Sequence, residues 1–235
     1  MDKAATIKSR IVEAVIQDII DGRYSSNDII TEKELIERFN VSKSPVRDAL
    51  IELCANEVLK NIPRYGYQIV HIGREKMHEM MEFRFILESY CLRKSIRYVT
   101  PQNIERLEQL EREVQADIQN NPDYPVTAHW KNNMEFHLLL ASIARNKYVY
   151  SELQRTMNVQ MRGYAQYFRE HEGEECKVLN MTCHTSIVEA LKRGNVEQAI
   201  EGLRVDLGKI DLYNQYPMIN LSMEDLKNEC HRTFA

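Results

Sequence analysis

A tight turn between two short helices constrains the fold of this chain more than any other feature of its sequence. Thr31 and Glu34 have the spacing of a capping box, in which each side chain satisfies a free backbone N–H at a helix start, so a helix is predicted to begin near Glu32. Asn40 is one of the few residue types other than glycine that tolerate a positive φ angle. The helix is therefore predicted to end in a sharp turn at Asn40.

A second helix is predicted directly after this turn. Ser44 supplies a capping hydroxyl, and Pro45 follows at the first helical position, where its missing N–H costs no hydrogen bond. This helix continues to about Leu53, and two short helices joined by a tight turn form a helix-turn-helix. An apolar stripe with steps of three and four residues predicts one more helix before the motif, over residues 7–20.

A small β-hairpin is predicted after the helix-turn-helix. Val58 and Leu59 form a short apolar run, and residues 68–71 mix polar and apolar side chains, as strand residues do when one face is buried. Gly66 lies between these segments, near the tip of the hairpin. A helix-turn-helix followed by such a hairpin is a winged helix-turn-helix, which we assign to residues 1–71.

Only helical periodicity is visible from Glu75 to the end of the chain. The predicted helices cover residues 75–97, 101–119, 125–144, 147–169, 174–193 and 196–214, with room for a final short helix after Ser222. The expected fold is therefore mainly α, with an all-α antiparallel bundle of six or seven helices over residues 76–216. A linker at residues 72–75 joins this bundle to the winged domain, and a tail covers residues 217–235.

The composition is that of an ordinary globular protein, with 43% hydrophobic and 28% charged residues in a chain of 235. A chain of this length is expected to form two domains. No apolar run is long enough to cross a membrane, and residues 1–6 lack the pattern of a signal peptide, so a cytoplasmic location is expected. Five cysteines without a C-x-x-C pair argue against a disulfide framework and a thiolate zinc site.

The net charge of −4 does not by itself indicate a nucleic-acid partner. Residues 1–70 carry ten lysines and arginines against eleven acidic residues. A DNA-binding surface in this region must therefore come from the clustering of its cations rather than from their excess.

The N-terminal motif closely resembles the DNA-binding domain of the GntR family of transcription regulators. The resemblance spans nearly all of residues 7–71 and is carried by the segments TEKEL from Thr31, FNVSKSPVRDAL from Phe39 and PRYGY from Pro63. Two turn positions that usually hold glycine differ, one of them being Asn27, and asparagine can replace glycine in a left-handed turn. The resemblance implies binding of double-stranded operator DNA by a homodimer.

Eight residues match the positions at which members of this family contact DNA. They are Lys33, Ser42, Lys43, Ser44 and Arg47 near the starts of the two helices, and Arg64, Tyr65 and Gly66 at the hairpin tip. Arg47 is the first choice for reading a base, because arginine can bind O6 and N7 of guanine with two hydrogen bonds. Lys33 and Ser42 could equally bind phosphate only, and the hairpin tip would lie at the minor groove.

The C-terminal region resembles the FadR-type ligand-binding domain (FCD) of the same family, a helical bundle that often holds a metal ion. Arg84 and Glu88 match the R-x-x-x-E of its first helix, and a second motif contains His137 with Asn133 one turn earlier. His184 matches a further motif, and Asp206 lies where a third histidine is usual. Asparagine thus replaces the usual aspartate at 133, and aspartate replaces the usual histidine at 206.

The resemblance implies a metal site formed by Asn133, His137, His184 and Asp206. The four-residue spacing of Asn133 and His137 places both on one face of a helix. Such a set of nitrogen and oxygen ligands suits zinc first, with nickel or manganese as further choices. The alternative is a metal-free pocket in which Arg84, His137 and His184 bind an acidic effector directly. Arg84 could bind an effector carboxylate or form an ion pair with Glu88.

The sequence therefore predicts a regulator that binds a palindromic operator as a dimer and responds to a small molecule, expected to be an organic acid. Rival interpretations are a sensor in which the metal ion itself is the effector, a metal-dependent enzyme, and an interaction module that has lost DNA binding. The enzyme lacks support, because the sequence contains no H-E-x-x-H motif and no evident general base beside the proposed ligands.

Overall fold

The computed structural model describes residues 6–121, 126–170 and 182–209. These residues form helices and three short strands, in the chain order α1 (Ile7–Ile20), β1 (Ile29–Ile30), α2 (Glu32–Phe39), α3 (Lys43–Ala55), β2 (Leu59–Ile62), β3 (Gly66–Ile69), α4 (Arg74–Ser95), α5 (Pro101–Asn120), α6 (Val126–Ile143), α7 (Lys147–Glu170), α8 (Thr182–Lys192) and α9 (Val196–Lys209). The fold is mainly helical, as predicted.

The N-terminal helices pack around one hydrophobic core. Ile11, Val15 and Ile19 form the apolar stripe of α1 and are almost completely buried, as are Leu35 of α2 and Leu50 of α3. Full burial of an aliphatic side chain of this size contributes about 1.5–3 kcal/mol. The stripe seen in the sequence therefore holds the three helices together.

The turn between α2 and α3 forms as the sequence predicts. Thr31 and Glu34 make both hydrogen bonds of the capping box, and Asn40 ends α2 in the left-handed region, with φ 49° and ψ 53°. The predicted cap of α3 is wrong: Ser42 is the N-cap residue, and Ser44 and Pro45 lie inside the first turn. Proline is tolerated there because the first four N–H groups of a helix have no partner within the helix.

The wing is a three-stranded antiparallel sheet in the order β1-β3-β2. In the predicted hairpin, Leu59 pairs with Ile69 and Ile62 with Gly66. The additional strand β1 pairs Ile30 with Tyr67 and was not predicted, because two residues are too short to show strand alternation.

The C-terminal helices form where periodicity placed them, with ends that differ by a few residues. The helix predicted from residue 174 is described only from Thr182, and the one predicted to reach residue 214 is described to Lys209. The proposed helix after Ser222 lies outside the described residues. No helix in the described part of the chain is long and apolar enough to cross a membrane.

The chain divides into two compact units, with helix α7 contributing to both. The first unit contains the winged helix-turn-helix, described from residue 6 to Gly73, and the part of α7 from Asn158. Within it, Gln166 accepts from the Ile72 N–H at 2.9 Å and donates to the Val70 carbonyl at 3.0 Å. The predicted boundary near residue 71 does not anticipate this contribution of α7 to the first unit.

The second unit contains α4, α5, α6, α8 and α9 and the start of α7. One buried cluster joins α4, α6 and α7 and consists of Cys91, Leu138, Ala141, Ala144, Leu153 and Met157. Neighbouring helices in this unit include α8 with α9, α4 with α9 and α5 with α6. This packing brings polar side chains from five helices together, most of them buried.

Candidate metal centre and DNA-binding surface

Two buried histidines of the second unit face one buried carboxylate. Nε2 of His137 on α6 lies 3.1 Å from Oδ2 of Asp206 on α9, and Nε2 of His184 on α8 lies 3.6 Å from Oδ1 of the same aspartate. One ligand atom from each residue lies within 4.8 Å of the others. This spacing allows all three residues to bind one ion.

The fourth predicted ligand joins the same cluster. Nδ2 of Asn133 lies 3.1 Å from Nε2 of His184, and Asn133 is buried one turn before His137 on α6. The structure therefore brings together the four residues that the sequence proposed as a metal site. Their ligand atoms are nitrogen and oxygen, the set that suits zinc and neighbouring divalent ions.

Each histidine also has a carboxylate on the far side of its ring. Nδ1 of His137 lies 2.5 Å from Oε2 of Glu88 on α4, and Nδ1 of His184 lies 2.7 Å from Oε1 of Glu111 on α5. A carboxylate at Nδ1 holds the proton there and leaves Nε2 able to bind a metal ion. Both rings are thus oriented with Nε2 towards Asp206.

The ring of His184 is further fixed by stacking. Phe136 is fully buried on α6, and its ring lies nearly parallel to that of His184, with 3.8 Å between the ring centroids. The next residue, His137, packs edge-on against His184 with the centroids 5.1 Å apart. Packing therefore limits rotation of His184 in addition to its hydrogen bonds.

The described surface of the first unit exposes the predicted DNA-contacting side chains. Lys33, Ser42, Lys43, Ser44 and Arg47 are all exposed, as are Arg64 and Tyr65. On α3, Val46, Ala49 and Leu50 face the core instead. The helix thus separates an apolar buried face from a polar face that carries Lys43 and Arg47, the arrangement that a recognition helix requires.

Gly66 has a structural reason for its position as well. Its φ is 136°, and a Cβ atom built there would lie 2.7 Å from the carbonyl oxygen of Ile30 on β1. Arg64 also has a positive φ, 72°, and the Tyr65 N–H closes the turn by donating to the Ile62 carbonyl at 3.0 Å. The tight turn therefore presents Arg64 and Tyr65 to solvent at the tip of the wing.

Both parts of the chain match known protein families. Residues 7–69 match the family described as bacterial regulatory proteins, gntR family, and residues 79–208 match the FCD domain. The chain belongs to the GntR family. With these two family matches, and with curated relatives named as regulators, this GntR-family protein is a DNA-binding transcription regulator and not an enzyme.

Similar curated proteins include the uncharacterized HTH-type transcriptional regulator YdhC of Bacillus subtilis, 24% identical over 85% of this chain and 87% of that protein. The Uxu operon regulator of Haemophilus influenzae is 31% identical over 59% of this chain and 54% of that protein. Among solved structures, E. coli McbR/YncC has a TM-score of 0.73 at 19% identity and covers 91% of this chain and 100% of its own. That likeness establishes the fold of this GntR regulator.

Electrostatics couple the metal-ligand candidates of this regulator to their carboxylates. Burial lowers the pKa of His137, but Glu88 and Asp206 outweigh burial and raise the pKa to about 9. Burial likewise favours the neutral form of Glu88, yet Arg84 and His137 lower its pKa below the ordinary value. Burial raises the pKa of Asp206 as well, but hydrogen bonding to His137 and the positive charges of His184, His137 and Arg84 together lower it below the ordinary value. The cluster is therefore built from charged groups that stabilise one another.

Arg84 lies beside this cluster in the GntR regulator. Its Nε donates to Oε1 of Glu88 at 2.8 Å, and both side chains are buried. The ion pair considered from the sequence is therefore present. A role for Arg84 in effector binding remains a prediction.

Two acidic residues near the sites were missed by sequence reasoning. Glu111 is one of several acidic residues on α5, and nothing in their spacing distinguishes the one that reaches His184. In the sequence, Glu32 indicated only where α2 begins. In the structure, its carboxylate contacts both Lys43 and Arg47 of α3. Both roles depend on helix packing, which the local pattern does not contain.

Proposed function

We propose that this GntR-family regulator binds palindromic operator DNA as a homodimer and responds to a small organic acid through a divalent metal ion in its FCD domain. The observation that carries the proposal is the convergence of Asn133, His137, His184 and Asp206 in one buried cluster. Two of these residues have an oriented ring nitrogen, and a third is a carboxylate.

The residues fit a metal ion on two independent grounds. His137, His184 and Asp206 provide two nitrogen ligands and one oxygen ligand. Asn133, whose Nδ2 faces His184, would add its amide oxygen once the amide group is rotated. Glu88 and Glu111 supply the carboxylates that metal-bound histidines usually have at their second nitrogen. Zinc is our first choice, with nickel and manganese compatible with the same ligands.

An organic acid suits the cluster as the effector. An ion that accepts more than four ligands could bind a further oxygen ligand beside the four protein ligands, and a bound divalent ion would act as a Lewis acid towards a carboxylate. Arg84 adds a buried guanidinium beside Glu88. An anionic effector would therefore be attracted by both the metal ion and the Arg84 guanidinium. A cationic effector would be repelled by both.

Homodimer formation is supported by an exposed apolar stripe on α4. Phe83, Ile86 and Tyr90 are each at least 40% exposed, and their spacing of three and four residues places them on one helix face. Contiguous exposed apolar side chains mark interaction surfaces. A second copy of this chain is the partner that a palindromic operator requires, because each half-site needs its own recognition helix.

Elemental analysis of the purified full-length protein tests the metal proposal. The wild type is expected to contain about one divalent ion per subunit, as a single four-residue site predicts. His137→Ala and His184→Ala should lose the ion, whereas His78→Ala should retain it because His78 pairs with Glu82 outside the cluster. Wild-type protein without any bound ion would contradict the proposal and favour an effector pocket read by Arg84 and the two histidines alone.

A further inference from the structure

One carboxylate connects the two cations at the start of the recognition helix. Oε2 of Glu32 lies 3.2 Å from Nζ of Lys43, and Oε1 of Glu32 lies 3.2 Å from Nε of Arg47. The side chain of Glu32 is 24% exposed, whereas those of Lys43 and Arg47 are each 61% exposed. Glu32 is thus packed behind two cations that remain open to solvent.

We propose that Glu32 is a specificity-determining residue of the DNA interface, acting by positioning Arg47. The inference rests on the proposed role of Arg47 as the base-reading arginine. Its ion-pair contact with Glu32 is made at Nε, which leaves the two Nη groups for another partner. Two N–H donors are what guanine requires at O6 and N7, so Glu32 fixes the guanidinium without consuming the donors that read the base.

The charge of Glu32 has a second effect on recognition. A carboxylate beside Lys43 and Arg47 offsets part of their attraction for phosphate groups, which supply most of the affinity for non-specific DNA. The loss is smaller for the correct sequence, because there Arg47 contacts a base edge rather than a phosphate. Glu32 therefore increases the ratio of specific to non-specific binding in two ways, by orientation and by repulsion of phosphate.

A purely structural role for Glu32 makes a different prediction. Glu32 is the first residue of α2, where an acidic side chain interacts favourably with the helix dipole. Loss of that interaction would lower thermal stability and leave base preference unchanged. The capping box does not depend on Glu32, because Thr31 and Glu34 form it.

The test is selection of DNA from a randomised duplex library by the full-length protein, followed by sequencing of the bound pool. Wild type, Glu32→Gln, Glu32→Asp and Arg47→Ala are compared. Glu32→Gln is expected to lose discrimination roughly five- to hundredfold at the guanine positions that Arg47→Ala also loses, the range that one bidentate contact provides. Its affinity for a mixed-sequence duplex should rise severalfold. Glu32→Asp keeps the charge but is shorter, so it should lose discrimination without gaining that affinity.

Glu37→Gln is the matched control. It removes the same charge from the same helix, and Glu37 pairs with Lys33 at 3.7 Å rather than with Arg47. This variant should gain some affinity for any duplex while keeping the wild-type base preference.

The outcomes distinguish the role of Glu32 from the role of Arg47 on which it depends. Unchanged base preference in both Glu32 variants, with loss in Arg47→Ala, would overturn the role of Glu32 and leave Arg47 as the reader. Unchanged preference in Arg47→Ala would instead contradict the proposed role of Arg47 itself. A lower melting temperature of the Glu32 variants with wild-type preference would assign Glu32 to helix stability alone.

Discussion

Nδ1 of His137 lies 2.5 Å from Oε2 of Glu88, and the other oxygen of that carboxylate accepts from Nε of Arg84 at 2.8 Å. Glu88 therefore joins a buried arginine to a buried histidine. On its far side, the same histidine ring faces Asp206. The three carboxylates Glu88, Glu111 and Asp206 have distinct roles in this arrangement: two orient histidine rings from behind, and one lies where an ion would bind.

Glu111→Gln should weaken metal binding without unfolding the protein. An amide at this position no longer holds the Nδ1 proton of His184 as firmly, and loss of such a partner typically costs about 10–100-fold in metal affinity. Competition with a chelator measures the change. Glu108→Gln is the control, because Glu108 lies one turn away on α5 and pairs with Lys192. Equal affinities in both variants would contradict an orienting role for Glu111.

Glu88→Gln should mainly reduce stability. Breaking a buried ion pair by removing one partner costs roughly 3–5 kcal/mol, because the remaining charge stays buried. Here Arg84 would lose a carboxylate partner, and so would His137. Urea denaturation of metal-free protein measures the loss. Adding Arg84→Met to Glu88→Gln should recover part of the lost free energy of unfolding. If the double variant instead loses the full sum of the two single losses, Arg84 and Glu88 are not coupled.

Gly22→Ala should destabilise the first unit. Gly22 has a φ of 81°, and a Cβ atom there would lie 2.7 Å from Nε of Arg169, a residue that donates to the Tyr24 and Ile19 carbonyls. The left-handed backbone alone costs a non-glycine residue about 1 kcal/mol, and the contact with Arg169 adds to that. Thermal denaturation measures the effect.

Gly194→Ala is the matched control for this change. Gly194 also has a positive φ, 69°, but no described atom lies within 4 Å of a Cβ atom built there. It should therefore show the backbone cost alone. A Gly22 variant no less stable than the Gly194 variant would contradict the tight packing of Arg169 against the end of α1.

Ile86→Lys should weaken the proposed homodimer. A charge in the middle of the exposed stripe formed by Phe83, Ile86 and Tyr90 would have to be buried if that face meets a second copy. Sedimentation equilibrium should show a higher dissociation constant than for the wild type. Tyr148→Lys, at a position that is 87% exposed on α7, should leave the association unchanged. Dimers of unaltered affinity in Ile86→Lys would place the interface elsewhere.

Local rules predicted much of this fold. The capping box at Thr31 and the left-handed turn at Asn40 depend on neighbouring residues only, so the sequence was sufficient for both. The start of α3 was misplaced by two residues, because Ser42 and Ser44 lie close together and serine is a good N-cap at either position. In the structure, Ser42 is the N-cap and Ser44 lies in the first turn. Strand β1 is defined by its pairing with β3, which no local pattern shows.

The candidate metal site was likewise predictable from the sequence only in part. His137 and Asn133 share a helix face by their spacing, whereas the approach of His184 and Asp206 came from the resemblance to the FCD domain. Glu111 was not predictable from either source. Its contact with His184 depends on the packing of α5 against α8, and packing selects one carboxylate from several that look alike along the helix.

X-ray diffraction at the absorption edges of zinc, nickel and manganese, from crystals of the protein as purified, tests the central claim most directly. The account predicts one anomalous peak per subunit, about 2.0–2.2 Å from Nε2 of both His137 and His184 and adjacent to Asp206. A peak at any other position, or no peak in crystals whose side chains are well ordered, would contradict a metal centre in this regulator.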